Sequence, residues 1–231
     1  MAKAKKKSKE ERAKCTMRTS TFVLSYPHLD KPQAPKPGDK EKFSLQALFP
    51  KDEKMLGWTI PEVKGGEVKR RKLSSIIQNA LVAEFGSDES EWPDELEKPI
   101  KDGDGKKYRN KEVCPDHYVV KMTSHAENRP QIFDERMKTI DDPADIRAKL
   151  YAGCLCQAVV FAYVWYYPDR NNPMKIGVGL IVDSIQKQGD GKKFSSRRDG
   201  AEVFSPLDTG DDEEDYADSD DEAESEEMSF F

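Results

Sequence analysis

The chain has 231 residues, enough for one folded domain with additional segments; 35% of them are charged, with 38 lysines and arginines against 44 acidic residues. No stretch approaches the ~18 consecutive apolar residues of a membrane-spanning helix, and the lysine-rich first residues are not followed by the apolar run of a secretion signal. Four scattered cysteines do not make a disulfide framework in a chain of this length. We therefore expect a cytoplasmic protein that contacts no membrane.

Charge is distributed unevenly along the chain. Residues 208–231 contain 13 acidic residues and no basic one, which leaves 31 acidic residues for the 38 basic residues of the preceding part. Residues 1–14 are rich in lysine and poor in large apolar side chains. Segments of these two compositions cannot bury enough apolar surface to offset the entropy of ordering. We predict a disordered basic arm (1–15), one folded domain (16–200) and a disordered acidic tail (201–231).

The first half of the folded domain is predicted to contain two strands and a helix. Alternating apolar residues indicate strands at 18–26 and 42–49. The segment between them (27–40) contains four prolines, and we expect it to be irregular. Residues 67–86 place apolar side chains at helical spacing, and their last residue, Gly86, is typical of the position just after a helix.

The second half is predicted to contain three more strands. Residues 87–115 form a long loop, the third strand follows at 117–125, and a short helix starts near residue 143. The last two strands are predicted at 153–167 and 175–185. Five strands with one helix between the second and the third predict a mainly β protein built as a small barrel.

The two faces of the strand at 153–167 differ in kind. One face carries the small side chains Ala158, Val160, Ala162 and Val164, and the other carries the aromatic side chains Phe161, Tyr163, Trp165 and Tyr167. Aromatic side chains dominate protein cores, which is one interpretation of this face. The second interpretation is a stacking platform for nucleobases, because base–aromatic stacking contributes ~1–3 kcal/mol per base whatever the sequence. Periodicity leaves both interpretations open.

Basic residues near this strand can supply contacts to phosphates. Any one basic cluster is more typical of a solvated face, but their association with an aromatic strand favours nucleic-acid binding. The candidate DNA contacts are the four aromatic residues of the strand together with Tyr118, Lys121, Arg70, Arg71, Lys72 and Lys187. Gly177 and Gly179 on the last strand indicate either the close approach of a flat group or a bend of the barrel.

Catalysis and metal binding find less support in the sequence. Nucleophile-elbow, phosphate-loop and His-Glu-x-x-His motifs are absent, so we predict that the chain is not an enzyme. Cys114, His117, Cys154 and Cys156 are residue types that zinc prefers. Cysteines spaced two apart on a strand are, however, more often simply buried. We therefore assign no metal and no cofactor.

The chain resembles a family of tailed-phage single-stranded DNA-binding proteins over roughly residues 16–195. Besides the opening strand, the resemblance rests on KFSLQALFPKDEK (42–54), PIKDGDGKKY (99–108), RPQIFD (129–134) and YAGCLCQAVVFAYVWYYPDRNNPMKIGVGLIVDSIQKQGDGKKF (151–194). The last segment is an aromatic strand followed by a glycine-spaced strand and an Asp-Gly turn. The resemblance implies an OB-like five-stranded barrel that binds single-stranded DNA without sequence preference.

The acidic tail is similar to the tails by which phage and bacterial proteins of this class recruit partners. The resemblance implies contacts with polymerase, helicase or recombination factors through Asp220, Asp221, Glu222, Glu226, Glu227, Phe230 and Phe231. Acidic side chains steer encounter with basic surfaces, and the same charge would compete with DNA for a cationic groove. The expected setting is replication, recombination or repair of phage DNA in the host cytoplasm.

Two other classes of function remain open. An acidic adaptor or DNA mimic would bind basic protein partners through the tail and would not bind DNA. A zinc-dependent nuclease would require a bound metal, and the lack of a carboxylate and histidine motif makes it the least favoured class.

Overall fold

The computed structural model describes residues 8–51, 55–61, 66–108 and 113–194. Within these ranges the chain forms three α-helices and eleven strands of a single sheet. The prediction of a mainly β protein with few helices is confirmed, whereas the predicted number of five strands is wrong. None of the helices in these ranges is long and apolar enough to cross a membrane.

The strands and helices have the following bounds in chain order. The strands are β1 (Thr16–Thr19), β2 (Phe22–Gln33), β3 (Lys42–Pro50), β4 (Leu56–Trp58), β5 (Arg70–Lys72), β6 (Leu96–Glu97), β7 (Ile100–Asp102), β8 (His117–His125), β9 (Gln131–Phe133), β10 (Leu155–Tyr167) and β11 (Lys175–Gly189). The helices are α1 (Lys9–Lys14), α2 (Leu73–Phe85) and α3 (Pro143–Lys149), with a 3₁₀ turn at Glu89–Glu91. Four of the five longest strands, β3, β8, β10 and β11, lie where alternation predicts strands, and the fifth, β2, overlaps a predicted strand over residues 22–26 only.

These five strands pair in a closed circuit. β10 pairs antiparallel with β2, β2 with β3, and β3 with β8. β8 then pairs parallel with β11, and β11 returns antiparallel to β10 along almost its whole length. β1, β4 and β5 extend the sheet from β10 outside this circuit, while β6, β7 and β9 add short pairings to β11 and β8.

One large cluster of buried side chains joins the inward faces of the strands to the helices. Its main members on β3 and β10 are Leu45, Ala47, Phe49, Ala158, Val160 and Ala162, and those on α2 are Leu73, Ile76, Ile77, Ala80 and Leu81. The period-2 burial of β3 follows the predicted alternation. α2 starts at Leu73, later than predicted, because β5 occupies the preceding residues. The helix ends at Phe85 and is followed by Gly86, whose φ of 96° favours glycine. This is the position after the helix that the sequence predicts for Gly86.

The sequence predicts that the proline-rich segment between the first two predicted strands is irregular. The structure corrects this prediction for the first part of the segment. β2 continues through Pro27 and Pro32 to Gln33. Beyond Ser25 the pairing with β3 is sparse and interrupted by register shifts. A proline has no N–H to donate to a ladder, so it is tolerated where the ladder is already incomplete. The predicted strand at 18–26 is likewise divided, between β1 and β2.

Part of the predicted disordered arm is helical, which corrects that prediction for residues 9–14. α1 begins with a reciprocal cap. The backbone N–H of Glu11 donates to Ser8 Oγ at 3.2 Å, and the backbone N–H of Ser8 donates to the Glu11 carboxylate at 2.7 Å. This pair satisfies two of the N–H groups that a helix start leaves without partners. Residues 1–7 lie outside the described residues.

Arg71 ties the end of α1 to the sheet. Its Nη1 donates to the carbonyl oxygens of Ala13, Lys14 and Thr16 at 3.1, 2.9 and 3.0 Å. The first two are carbonyl groups that the end of a helix leaves without partners within the helix, and the third lies on β1. The guanidinium of Arg71 therefore serves the fold, which is a different role from the predicted DNA contact.

We expect Arg71→Ala to lower the free energy of unfolding by about 1–3 kcal/mol, because hydrogen bonds from a charged donor are lost. Urea denaturation of the two proteins measures the difference. The control is Arg70→Ala, since Arg70 is the exposed neighbour on the same strand and should change stability by less than about 0.5 kcal/mol. Equal effects of the two substitutions would contradict this role.

Candidate nucleic-acid interface

β10 turns its small side chains inward and its aromatic side chains outward. Ala158, Val160 and Ala162 are buried in the core. Phe161, Tyr163 and Trp165 are only partly buried, and Tyr167 is 60% exposed. The Ala/Val face is therefore the core face, and the aromatic face is only partly buried, with Phe161 packed against the core cluster.

Two of the aromatic rings lie on glycines of the neighbouring strand. Tyr163 pairs with Gly179, and Trp165 pairs with Gly177. A Cβ added at Gly179 would stand 2.7 Å from Cε1 of Tyr163, and one at Gly177 would stand 2.6 Å from Cζ2 of Trp165. Because glycine leaves this space open, each ring lies against the backbone of β11. One face of each ring covers the sheet and the other is turned away from it.

A row of paired residues crosses the outward face of the sheet at right angles to the strands. It runs from β2 to β1 through His28, Ser44, Thr123, Ile181, Phe161 and Thr16. Six strands spaced ~4.8 Å apart give this row a length of about 24 Å, measured along the curved surface of the circuit. Tyr163 lies beside the row, and its hydroxyl is hydrogen-bonded to the Thr123 side chain. Burial raises the pKa of Tyr163, against the effect of that hydrogen bond, so the ring stays neutral.

A groove of about 270 Å³ opens at the β2 end of the row. Its lining includes Tyr26, His28, Lys42, Gln46, Lys121 and Thr123, and the chain between β2 and β3 closes one side. Small-molecule sites start at roughly 300 Å³, so the groove has room for a group of about the size of one nucleotide. Thr123 is shared by the groove and the row, which makes the two features continuous.

The groove carries positive charge. Partial desolvation and the charges of Lys42 and Lys107 lower the pKa of Lys121. Within the described ranges, neither Lys42 nor Lys121 forms an ion pair with a carboxylate. Ammonium groups that repel one another favour an anion between them, and a phosphodiester supplies one.

Gln46 adds an acceptor at the same place. Its Oε1 is buried and has no hydrogen-bond partner among the residues that the structure describes. Buried polar atoms without partners are uncommon in folded proteins, and a rotation of the Gln46 side chain, which lines the groove, would turn this oxygen toward a ligand. The groove therefore combines positive charge with hydrogen-bonding capacity.

Tyr26 is a groove residue that the sequence analysis does not identify. The predicted alternation places it on one face with Phe22 and Leu24, which are buried, yet Tyr26 is 45% exposed. Its φ of 44° and the register shift after Ser25 turn its side chain out of the alternation. Strained backbone of this kind clusters at functional sites. The only signal in the sequence is the proline that follows Tyr26 and interrupts the ladder.

Lys187, a predicted DNA contact, belongs to a buried ion network. It is 7% exposed, and its Nζ lies 2.6 Å from the Asp190 carboxylate and 3.1 Å from that of Glu135. Desolvation by burial lowers the pKa of Lys187, but its hydrogen bonds to Asp190 and Glu135 outweigh this and raise the pKa above its usual value. Its charge is already neutralised, so this placement removes Lys187 from the candidate interface.

Tyr118 also lies away from the row. It precedes Thr123 by five positions on β8, and the Nζ of Lys51 lies 5.7 Å from its ring centroid. Lys51 in turn forms ion pairs with Asp102, at 2.5 Å, and with Asp104. Tyr118 therefore contacts Lys51 at the far end of the strand. Arg71, as described above, donates to carbonyl groups near the end of α1.

The remaining predicted contacts divide between the interface, its edges and the rest of the chain. The structure brings Phe161, Tyr163 and Lys121 together along the row. Trp165 and Tyr167 continue the aromatic face toward the β10–β11 turn, and Arg70 and Lys72 are exposed on β5. The predicted partner contacts of the tail, Asp220, Asp221, Glu222, Glu226, Glu227, Phe230 and Phe231, lie outside the described residues.

The cysteines and histidine of the zinc alternative do not come together. Sγ of Cys154 lies 3.6 Å from Sγ of Cys156 in the main core, while Cys114 is buried in a separate small cluster. The ring of His117 is hydrogen-bonded through Nδ1 to the carbonyl oxygen of Pro115 at 2.7 Å. Across the described ranges, no three histidine, cysteine or acidic side chains are grouped so that they could hold a metal ion.

Comparison with known proteins gives one family match. The model of the family described as the ssDNA-binding protein of Enterobacter phage Enc34 matches residues 15–217. No curated protein matches the chain.

Solved structures with a similar fold include proteins of two phages. The single-stranded DNA-binding protein of bacteriophage Enc34, in complex with ssDNA, superposes with a TM-score of 0.58 at 22% identity, over 78% of this chain and 89% of that chain. The same phage protein in a structure described without DNA gives 0.55 at 21% identity, over 82% and 90%. The bacteriophage T7 single-stranded DNA-binding protein gp2.5 gives 0.50 at 11% identity, over 83% and 96%. At these identities the likeness shows the fold.

The charge coupling in the groove can be measured directly. We expect Lys42→Gln to raise the pKa of Lys121 toward its ordinary value, because one of the repelling charges is removed. A side-chain NMR titration of the lysines measures the shift. The control is Lys149→Gln on α3, which also removes one positive charge but does so outside the groove. It should leave the pKa of Lys121 equal to that of the unmodified protein. An unchanged Lys121 titration in Lys42→Gln would show that the two ammonium groups do not interact.

Proposed function

The chain belongs to the family of the Enterobacter phage Enc34 single-stranded DNA-binding protein, and we propose that it binds single-stranded DNA without sequence preference along the outward row. Proteins of this family bind DNA and are not enzymes, so the prediction that the chain is not an enzyme is confirmed. The observation that carries the proposal is the aromatic face of β10, which lies outside the core and beside a cationic groove.

We propose that the closed circuit is an OB-like five-stranded barrel. Its order, β2, β3, β8, β11 and β10, returns to the first strand and contains one parallel pairing. OB folds are five-stranded barrels that bind oligonucleotides on the face of their second and third strands and on the adjoining loops. The groove lies on the second and third strands of the circuit, β3 and β8, next to the connection from β2, which supports this assignment.

In the proposed complex, bases stack on the outward ring faces and phosphates lie against lysines. Tyr163 offers its ring, and Phe161 offers its ring together with the Arg12 guanidinium that lies over it. Lys42 and Lys121 offer the charges. Stacking uses the π-face that all bases share, so it does not discriminate among sequences. A duplex keeps its base faces covered by neighbouring pairs, so this mode of binding favours single strands.

The acidic tail is proposed to act in two ways. Its 13 acidic residues (208–231) would occupy the cationic groove when DNA is absent and would be displaced by phosphates. Phe230 and Phe231 would dock into an apolar pocket of a polymerase, helicase or recombination factor. Replication, recombination or repair of phage DNA in the host cytoplasm is the proposed setting. The support is the composition of the tail, whose residues lie outside the described ranges.

Fluorescence polarisation with a labelled oligo-dT of about 30 nucleotides, enough for one or two OB-fold sites, tests the binding mode. We expect preference for this strand over a matched duplex and weaker binding as salt rises. Tyr163→Ala should lose roughly 5- to 150-fold in affinity, the equivalent of ~1–3 kcal/mol for one stacked base. Lys121→Ala should lower the magnitude of the salt slope by about one.

The matched control is Tyr166→Ala, on the same strand. The hydroxyl of Tyr166 donates to Glu84 of α2 at 2.7 Å, so this tyrosine is held away from the aromatic face. We expect it to leave affinity unchanged while Tyr163→Ala lowers it. If the full chain and a chain without the tail both fail to bind the single strand, the acidic adaptor becomes the better description.

Removing residues 208–231 should strengthen binding to oligo-dT several-fold at low salt, because a competing polyanion is lost. The gain should shrink toward zero at about 1 M salt, where the Debye length falls to ~3 Å. Titrations of both chains across a salt series measure this. Equal affinities at low salt would show that the tail does not compete for the groove.

A further inference from the structure

A second surface of aromatic and basic side chains lies outside the closed circuit, on β1, β4 and β5. Arg18 on β1 pairs with Val159 of β10 on one side and with Trp58 of β4 on the other. Trp58 pairs in turn with Arg70 of β5. Directly paired residues share a face of the sheet, so these side chains continue the outward face that carries Phe161.

Arginine side chains cover aromatic rings twice on this face. The guanidinium carbon of Arg18 lies 5.1 Å from the ring centroid of Trp58, and that of Arg12 lies 5.6 Å from the ring centroid of Phe161. Arg18 is exposed and Trp58 is partly buried. A guanidinium held over a ring by a cation–π contact presents its own planar outer face, on which a base can stack.

The charges of this surface are not neutralised by neighbouring acids. In the part of the chain that the structure describes, neither Arg18 nor Arg70 forms an ion pair. Arg71, the next residue on β5, donates instead to the carbonyl oxygens of Ala13, Lys14 and Thr16. A polyanion would therefore meet two available guanidinium groups beside a tryptophan.

We propose that Arg18, Trp58 and Arg70 form a second subsite for single-stranded DNA, which receives the strand where it leaves Phe161. This inference rests on the proposed function. β4 lies two strand spacings, about 10 Å, from β10, so the subsite is within a few nucleotides of the row. A base stacks on the Arg18–Trp58 pair, and Arg70 contacts a phosphate. The strands added outside the barrel thereby lengthen the binding site.

The subsite makes a prediction that depends on oligonucleotide length. A strand of about 6 nucleotides occupies the groove and the aromatic row, whereas one of about 20 also reaches β4, given the ~4–16 nucleotides that OB folds cover. Trp58→Ala in the full chain should weaken binding of the longer oligo-dT by roughly tenfold. Binding of the shorter one should change by less than about twofold. Fluorescence polarisation measures both affinities.

Arg18→Ala gives the same test without removing a partly buried ring. If Trp58→Ala lowers the melting temperature to the temperature of the binding assay, the conclusion is drawn from Arg18→Ala. The matched control is Arg136→Ala, which removes one exposed positive charge from the turn after β9 and should weaken both lengths equally and slightly. A length-dependent loss in Trp58→Ala or Arg18→Ala supports the subsite.

Two other outcomes overturn the subsite. Unchanged affinity in both variants would show that this surface does not contact DNA and would leave it as a site for a protein. An equal loss at both lengths would show an indirect effect on the main groove. Failure of the unmodified chain to bind either oligonucleotide is a different result, since it rejects the proposed function itself.

Discussion

The ladder between β10 and β11 is the constraint on which the rest of the structure depends. It joins the two longest strands, closes the circuit and determines which face of β10 enters the core. α2 packs against β10, and the small side chains of Ala158 and Ala162 lie in the buried cluster that it shares with the helix. A slip of one residue would bring the aromatic rings into this space and expose the alanines, so the register is strongly specified. The same register therefore places the aromatic rings on the outward face.

Periodicity predicts the five long strands and the main helix because these elements carry their own pattern. β8 covers the predicted residues 117–125, and α3 begins at Pro143 as predicted. The short strands could not be predicted in the same way. β4, β5 and β6 have two or three residues each, too few for a pattern, and they are strands because longer neighbours supply their hydrogen-bond partners.

The candidate site was predictable in its aromatic half and less so in its charged half. Alternation alone places Phe161 and Tyr163 on one face, and only the burial of the opposite face decides that theirs is outward. Lys121 and Lys187 look equivalent in the sequence. Their difference comes from Glu135 and Asp190, which the fold brings to Lys187. Tyr26 was missed because a local backbone conformation, which side-chain type does not encode, turns it into the groove.

Neutralisation of charge separates Lys187, which is paired with two carboxylates, from the lysines that line the groove. Exposed ion pairs contribute little stability, so their distribution need not follow the demands of folding. The described cations with acidic partners do not line the groove; they are Lys51, Lys69, Arg147, Lys149, Arg170, Lys175 and Lys187. Lys42 and Lys121 at one end of the outward face, and Arg18 at the other, have none in the described ranges. A polyanion that crosses this face therefore neutralises them without first breaking an ion pair.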